Sequence, residues 1–180
     1  MPFLKGKCDS DIGRTLDCPL RQLSFDPEGL LPRSTQILTE CLQENLQKRY
    51  GDRLIPLSKV RGIYEGLSSR QELDTPRAVG QELGKAIQAD FMVLGTVWRY
   101  RERVGGPGEM QSPTAVAFAI YLVDVARGKM VWTGRFVETV QSLADNILEV
   151  RRFVKRGASW LSADQLARYG VKEVLKKFPL

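Results

Sequence analysis

A chain of 180 residues with 43% hydrophobic and 27% charged residues has the length and composition of one folded, soluble domain. It contains no histidine, which excludes Ser-His-Asp and Cys-His catalytic pairs and any imidazole ligand to a metal. The formal charge of +6 permits attraction to nucleic acid, anionic lipid or acidic polymers, but it requires none of them.

The first residues show no regular pattern. Residues 1–18 carry charges and glycines without periodicity, so we expect an irregular leader followed by a single domain over residues 19–180. The start lacks the apolar core of a secretory signal, and no apolar run approaches the roughly 20 residues of a membrane span. Either the protein is cytosolic, or a signal was removed upstream of Met1.

The three cysteines do not form a metal or redox motif, because no two of them have C-x-x-C spacing. Cys8 and Cys18 could form a disulfide in an oxidising compartment. Cys41 falls on the apolar face of a predicted helix, where a buried free thiol is expected.

The first part of the domain alternates short strands with helices. Residues 18–25 partly alternate and could form an edge strand. A helix is predicted over residues 33–50, with Gly51 at its C-terminal cap. Residues 54–57 are expected to form a short strand, and residues 58–67 a short helix.

The next helix has a strong start signal. Thr75 is a good N-cap, and Pro76 suits the first helical position because it has no N–H to leave unsatisfied. The apolar pattern continues to Ile87. Gly80 and Gly84 lie one turn apart, which allows close packing against a neighbouring element.

Three strands follow as a meander. The first is apolar on both faces before becoming basic towards Arg103, and a tight turn at residues 126–129 joins the second to the third. Their expected ranges are 91–98, 115–125 and 130–140.

The tail is helical. A helix is expected from Ser142 to about Phe153, and a capping box begins a second helix at residues 162–165. The whole order predicts an α/β (α+β) fold: a mixed sheet of about five strands with a C-terminal antiparallel meander and helices packed on it.

Two basic clusters are candidate interaction surfaces. Alternating arginines follow the first meander strand and could bind phosphate or an acidic partner, although a solvated edge is the simpler reading. A second cluster precedes the last helix, where a solvated face above a buried Phe153 is favoured over binding of single-stranded nucleic acid. The residues are Arg99, Arg101, Arg103, Arg151, Arg152, Lys155 and Arg156.

Other patterns do not indicate a catalytic site. The glycine-rich loop at residues 105–108 lacks the Lys-Ser/Thr of a phosphate loop, so a hairpin connection is favoured. Trp98, Tyr121 and Trp132 could form a cross-strand aromatic cluster. We nominate no catalytic residue, no metal ligand and no cofactor site.

The stretch from about Thr75 to Phe178 carries a family resemblance. A helix reading G-x-x-L leads into Ala89-Asp90, a strand reads V-x-G-x-V at residues 93–97, and a hairpin reads D-x-x-x-G-K-x-x-W from Asp124 to Trp132. These motifs resemble the bacterial envelope lipoproteins related to the amino-terminal domain of TolB, a set that includes LpoB and the CsgG-like secretion lipoproteins. The helix predicted over residues 33–50 and the strand predicted around residues 54–56 fit the order of elements in these lipoproteins.

The resemblance implies a non-enzymatic periplasmic domain, tethered to the outer membrane by a lipidated cysteine, that contacts other envelope proteins. Neither Cys8 nor Cys18 lies in a lipoprotein cleavage context, so the lipidated cysteine would lie upstream of this chain. The long amphipathic strands with which CsgG-type proteins form a pore are not evident in this sequence, so no pore is predicted. A homo-oligomer is compatible with the resemblance. The alternative is a cytosolic basic domain that binds nucleic acid. For the envelope lipoprotein, the expected contact surfaces are an exposed sheet edge, open to strand addition, and the basic ends of the meander.

Overall fold

The computed structural model describes residues 3–5, 30–68, 76–104, 112–139 and 162–179. Within these ranges the fold is α+β, and helices pack on a sheet dominated by an antiparallel meander. The strands are β1 (Phe3–Lys5), β2 (Phe91–Arg101), β3 (Ala115–Asp124) and β4 (Lys129–Thr139), and the helices are α1 (Ser34–Tyr50), α2 (Leu57–Ser68), α3 (Pro76–Ile87) and α4 (Ala163–Leu175). None of these helices is long and apolar enough to cross a membrane.

The sheet has the order β1-β2-β3-β4, and the predicted meander is confirmed as β2, β3 and β4. β1 runs parallel to β2, with Phe3 opposite Gly95. This strand lies inside the segment that was expected to be irregular. Its anchor is Phe3, whose N–H donates to Thr39 Oγ1 at 3.1 Å and whose ring meets Phe118 edge-on. Three residues are too few to show a periodicity.

Other parts of the leader, the edge strand expected at 18–25 and the domain boundary at residue 19 lie outside the described residues. The same holds for Cys8, Cys18 and the helix expected from Ser142. Each of these remains a prediction.

Apolar clusters lie on both faces of the sheet, and helices cover two of the three. α1 and α4 cover one face, around Leu42, Phe118 and Leu166. α2 and α3 cover part of the other face, around Leu83 and Leu94. β3 lies between the two clusters and is buried along its whole length, as expected of a central strand covered on both sides.

Local capping chemistry agrees with the sequence. Gly51 follows α1 at φ +54°, and Gly128 supplies φ +59° in the β3–β4 turn. The capping box before α4 is formed: Gln165 N–H donates to Ser162 Oγ at 3.2 Å, and Ser162 N–H donates to Gln165 Oε1 at 3.0 Å.

The strand expected at residues 54–57 is wrong. Leu54, Ile55 and Pro56 are irregular, and Leu57 already begins α2. The Pro56 carbonyl accepts from Lys59 N and Val60 N, so the proline starts a helix instead of ending a strand. Leu54 packs on the first apolar cluster and Ile55 on the second, which explains the apolar run without a strand.

Candidate interaction site

The N-terminal part of β2 has an open edge. β3 pairs along β2 on one side, but β1 covers the other side only from Gly95 to Val97. The carbonyl of Asp90 accepts a hydrogen bond from the N–H of Val125. The backbone N–H and C=O groups of the even-numbered residues at this end of β2 therefore point towards β3. Because backbone groups alternate along a strand, Phe91 and Val93 direct their N–H and C=O groups to the open side. No strand of the described part of the chain pairs with them there.

An apolar groove lies beside this edge, with a cavity of about 550 Å³. It opens where the two helical layers separate at the border of the sheet. Leu46 and Phe178 line it from one layer, and Val60 and Ile87 from the other. Phe91 also lines the groove, and its side chain is 40% exposed.

Gln88 lines the same groove in a strained conformation. It follows α3 at φ +57°, where the chain turns through a Schellman motif: Ala89 N donates to Gly84 O at 2.9 Å. Glycine is the usual residue here, because a side chain in the left-handed region costs about 1–2 kcal/mol. Gln88 is exposed, so its side chain is accessible from the groove that it lines.

The groove carries charge of both signs at its rim. Arg53 lines the groove and lies 5.5 Å from the centre of the Tyr50 ring; Arg49, which is not part of the lining, lies at the same distance from that ring. Arg49 also donates to the carbonyl of Leu175 at 3.3 Å, which ties α1 to the end of α4. Asp90 is exposed on the β2 side. The groove lining is therefore mostly apolar, and its charged residues are Arg53 and Asp90.

A bulge decides where the predicted arginines lie. The β2–β3 register shifts between Val97 and Arg99, so Trp98 is an extra residue. Val97 and Tyr100 consequently face the same cluster, and Arg99 and Arg101 share the opposite face with Trp98. Arg103 lies beyond the end of β2.

The second basic cluster lies outside the described residues. Its members are Arg151, Arg152, Lys155 and Arg156, and their role as an interaction surface stays a prediction.

The predicted aromatic cluster is only partly formed. Trp98 and Tyr121 pack together with alanines of β3, and both are buried. Trp132 lies on the other face of the sheet, where its ring meets Phe178 edge-on at 5.0 Å between centroids. The reason is a second bulge at Val131, which places Trp132 opposite Leu122. Buried rings do not offer a stacking platform for bases.

Two buried ionisable groups, Cys41 and Tyr100, have raised pKa values. Burial raises the pKa of the Cys41 thiol, as expected for the predicted free buried cysteine. Burial, together with a 2.7 Å hydrogen bond donated to Asp164, raises the pKa of Tyr100 far above its usual range. Within the described ranges, no group of three or more Cys, Asp or Glu side chains could hold a metal ion.

No protein-family model and no curated protein sequence matches the chain. Among solved structures, it is similar to the PelC dodecamer from Paraburkholderia phytofirmans, at 15% identity over 81% of this chain and 75% of that one, with a TM-score of 0.46. It is also similar to lipoprotein GNA1162 from Neisseria meningitidis, at 14% identity over 71% of this chain and 90% of that one, with a TM-score of 0.45. Both likenesses are distant.

Proposed function

We propose that this chain is the folded domain of a periplasmic lipoprotein that binds another envelope protein and performs no catalysis. A lipid anchor upstream of residue 1 would tether it to the outer membrane. The sequence motifs shared with TolB-related lipoproteins support the compartment, and the missing histidine and the raised pKa values of Cys41 and Tyr100 favour binding over catalysis.

The open edge of β2 beside the groove carries this proposal. An extended segment of the partner adds to β2 as a further strand, and Phe91 and Val93 each offer it one N–H and one C=O. Main-chain hydrogen bonds then supply affinity. Alternate side chains of the added segment enter the groove and supply specificity.

Fractionation of cells that express the natural full-length gene tests the compartment. We expect the protein in the detergent-extracted envelope, and a larger precursor when cleavage of lipoprotein signals is blocked. Recovery in the soluble cytosol, unaffected by the block, would contradict the proposal. Salt-dependent binding to labelled single-stranded DNA, lost in the double charge reversal Arg99→Glu with Arg101→Glu, would then favour the nucleic-acid reading.

Site-specific photo-crosslinking in cells tests the surface. A photoreactive phenylalanine analogue at position 91 should form a covalent adduct with a partner, whereas the same analogue at the exposed Lys172 of α4 should not. Equal labelling at both positions would argue against this edge as the contact.

Once the partner is identified, two substitutions at one position separate the backbone contribution from the side chain. Phe91→Pro removes an N–H that points to the open side, so it deletes no ladder bond to β3 and is tolerated at a strand start. Phe91→Ala removes the ring but keeps the N–H. Strand addition predicts the larger loss of binding for Phe91→Pro; a groove that recognises side chains alone predicts equal losses.

Gln88→Gly tests whether the strained side chain serves the groove. The substitution relieves the left-handed strain, so the free energy of unfolding should not fall. Affinity for the partner should fall even so. A variant that is at least as stable and binds equally well would remove Gln88 from the site.

A further inference from the structure

The last turns of α1 and α4 lie at the same end of the molecule. Where the two helices begin, Arg33 Nη2 lies 3.4 Å from Asp164 Oδ2. Where they end, Arg49 Nη1 donates to the carbonyl of Leu175 at 3.3 Å, so the helices run in the same direction. Phe178, which follows α4, lines the groove beside the first residues of β2. The C-terminal ends of both helices therefore lie at the end of the sheet where β2 begins.

Exposed basic side chains cluster at this end. Within residues 47–53 and 171–179 the acidic residues are Asp52 and Glu173, and Glu173 already pairs with Lys176 at 2.6 Å. The two helix C-termini supply about one further negative charge between them. An excess of positive charge remains on this surface, which we call the basic end. Its exposed members are Lys48, Arg49, Arg53, Lys172, Lys176 and Lys177.

Two of these lysines are neighbours across the seam between the helices. On the preceding turn, Arg168 Nη1 of α4 lies 3.4 Å from Glu44 Oε2 of α1. One turn later on both helices the corresponding residues are Lys172 and Lys48, so two like charges follow an ion pair along the seam. Neither lysine forms an ion pair with the part of the chain that the structure describes. Their repulsion favours an anion bound from outside.

The direction of β1 indicates which anionic partner meets this end. β1 runs parallel to β2, with Phe3 opposite Gly95, so the chain enters β1 from the end of the sheet where β2 begins. A lipid tether upstream of residue 1 would therefore leave the domain at its basic end. A bilayer with anionic lipids attracts basic clusters, and each basic residue near its surface raises partitioning about fivefold.

Nucleic acid matches this end less well. Proteins bind single strands by stacking bases on exposed aromatic rings as well as by charge. At the basic end, the rings of Tyr50 and Trp132 each meet Phe178 edge-on, with centroids 6.4 and 5.0 Å apart, and Phe178 is buried. These rings are engaged with one another, so this surface offers charge without a stacking platform.

We propose that the basic end docks on the surface of a bilayer that carries anionic phospholipids, the membrane that holds the tether. Headgroup phosphates neutralise the like charges of Lys48 and Lys172 at the seam. This inference rests on the tether of the proposed function, and it does not depend on the open edge of β2. Of the basic end, Arg53 alone lines the groove.

Cosedimentation of the purified 180-residue chain with vesicles tests the surface. The chain should bind vesicles of phosphatidylglycerol and phosphatidylcholine in equal parts, release them as salt rises, and leave phosphatidylcholine vesicles unbound. Lys48→Gln should lower the partition coefficient about fivefold, and Lys48→Gln with Lys172→Gln about 25-fold.

Arg33→Gln is the matched control on the same helix. It removes one positive charge at the start of α1, about 25 Å from the other end of this 17-residue helix and beyond the range of screened charge. The partition coefficient should therefore change less than about twofold. Equal losses in Arg33→Gln and Lys48→Gln would overturn the proposal, because net charge alone would then explain binding.

Other outcomes separate this surface from the proposed function. No binding to the anionic vesicles at low salt would overturn the surface, and recovery of the protein in the envelope would still support the proposed function. Vesicle binding by a protein that fractionates with the cytosol would uphold the surface and overturn the tether. Tighter binding to single-stranded DNA than to the vesicles, lost in Lys48→Gln with Lys172→Gln, would overturn the choice of a membrane.

Spin-labelled lipid headgroups test the orientation. When the chain binds nanodiscs of the same two lipids, a headgroup spin label should broaden the amide signals of Lys172, Lys176 and Lys177 in nuclear magnetic resonance spectra. The amide signals of Ser34 and Gln36, at the start of α1, should broaden less because they lie at the opposite end. Equal broadening at both ends would overturn the proposed orientation.

Discussion

At the scale of single residues, Asp124 holds the turn between β3 and β4. Its Oδ1 accepts from Arg127 N at 2.9 Å, and its Oδ2 meets Arg127 Nη1 at 2.6 Å. These bonds to the charged form lower the pKa of the carboxyl in the folded chain. The turn that orients β4 therefore depends on one ionised side chain.

The lowered pKa makes the contribution of Asp124 dependent on pH. The stabilisation is complete above the unfolded pKa of about 3.9 and is lost as the pH falls through the lower folded value. Asp124→Asn should therefore lower the free energy of unfolding near neutral pH, and the difference from wild type should shrink in acid. Urea unfolding at both pH values measures this. Asp52→Asn, in the exposed turn after α1, controls for removing one acidic charge. A difference that does not change with pH would contradict the assignment.

At the scale of elements, α3 approaches the sheet through two glycines, as the one-turn spacing predicted. A Cβ at Gly80 would lie 2.8 Å from Leu94 Cδ1, and a Cβ at Gly84 would overlap the side chain of Val125. Gly62 in α2 has open space around it. The same residue type thus serves packing in one helix and lowers helix propensity in the other.

Alanine substitutions should separate these two roles. Gly84→Ala gains up to about 1 kcal/mol of helix propensity but overfills a tight contact at a cost of about 1–3 kcal/mol, so a net loss is expected. Gly62→Ala should gain about 0.5–1 kcal/mol, because nothing opposes the added methyl group. Denaturant unfolding of both variants measures the change in the free energy of unfolding that each substitution causes. Stabilisation by Gly84→Ala would show that α3 can move away from the sheet at little cost.

At the scale of the whole molecule, one sheet joins two apolar clusters into a single unit. Phe118 lies in the cluster beneath α1 and α4, and Leu83 in the cluster beneath α2 and α3; both are fully buried. Even-numbered residues of β3 such as Phe118 face the first cluster, whereas on the other face Val123 joins the second cluster and Tyr121 packs with Trp98. Loss of either cluster therefore removes support from the strand that both clusters share.

Damage to either face should weaken the whole domain. Leu83→Ala should cost about 2–5 kcal/mol and Phe118→Ala about 3–5 kcal/mol, and each variant should still unfold in one transition. Far-ultraviolet circular dichroism can be compared with the fluorescence of variants that keep only Trp98 or only Trp132 of the three tryptophans, since these two residues lie on opposite faces. Separate transitions from the two probes would mean that the faces unfold independently.

The sequence by itself determined the elements whose signals are local. The apolar repeat of α1, the proline that begins α3, the glycine of the β3–β4 turn and the capping box before α4 all act among residues close in the chain. The residue types at these positions determine the local hydrogen bonds and the allowed backbone angles. The predicted ranges of α1, β3 and β4 consequently agree with the observed ones to within one residue at each end.

Only the tertiary structure decided how these elements meet. The bulges at Trp98 and Val131 moved Arg99 and Trp132 to faces that simple alternation does not give. The burial of Phe3 made a strand of three residues, and the gap beside Phe91 left the β2 edge open. These features depend on pairing between segments far apart in the chain. A one-residue change of register reverses which face a side chain occupies, and no local pattern records it.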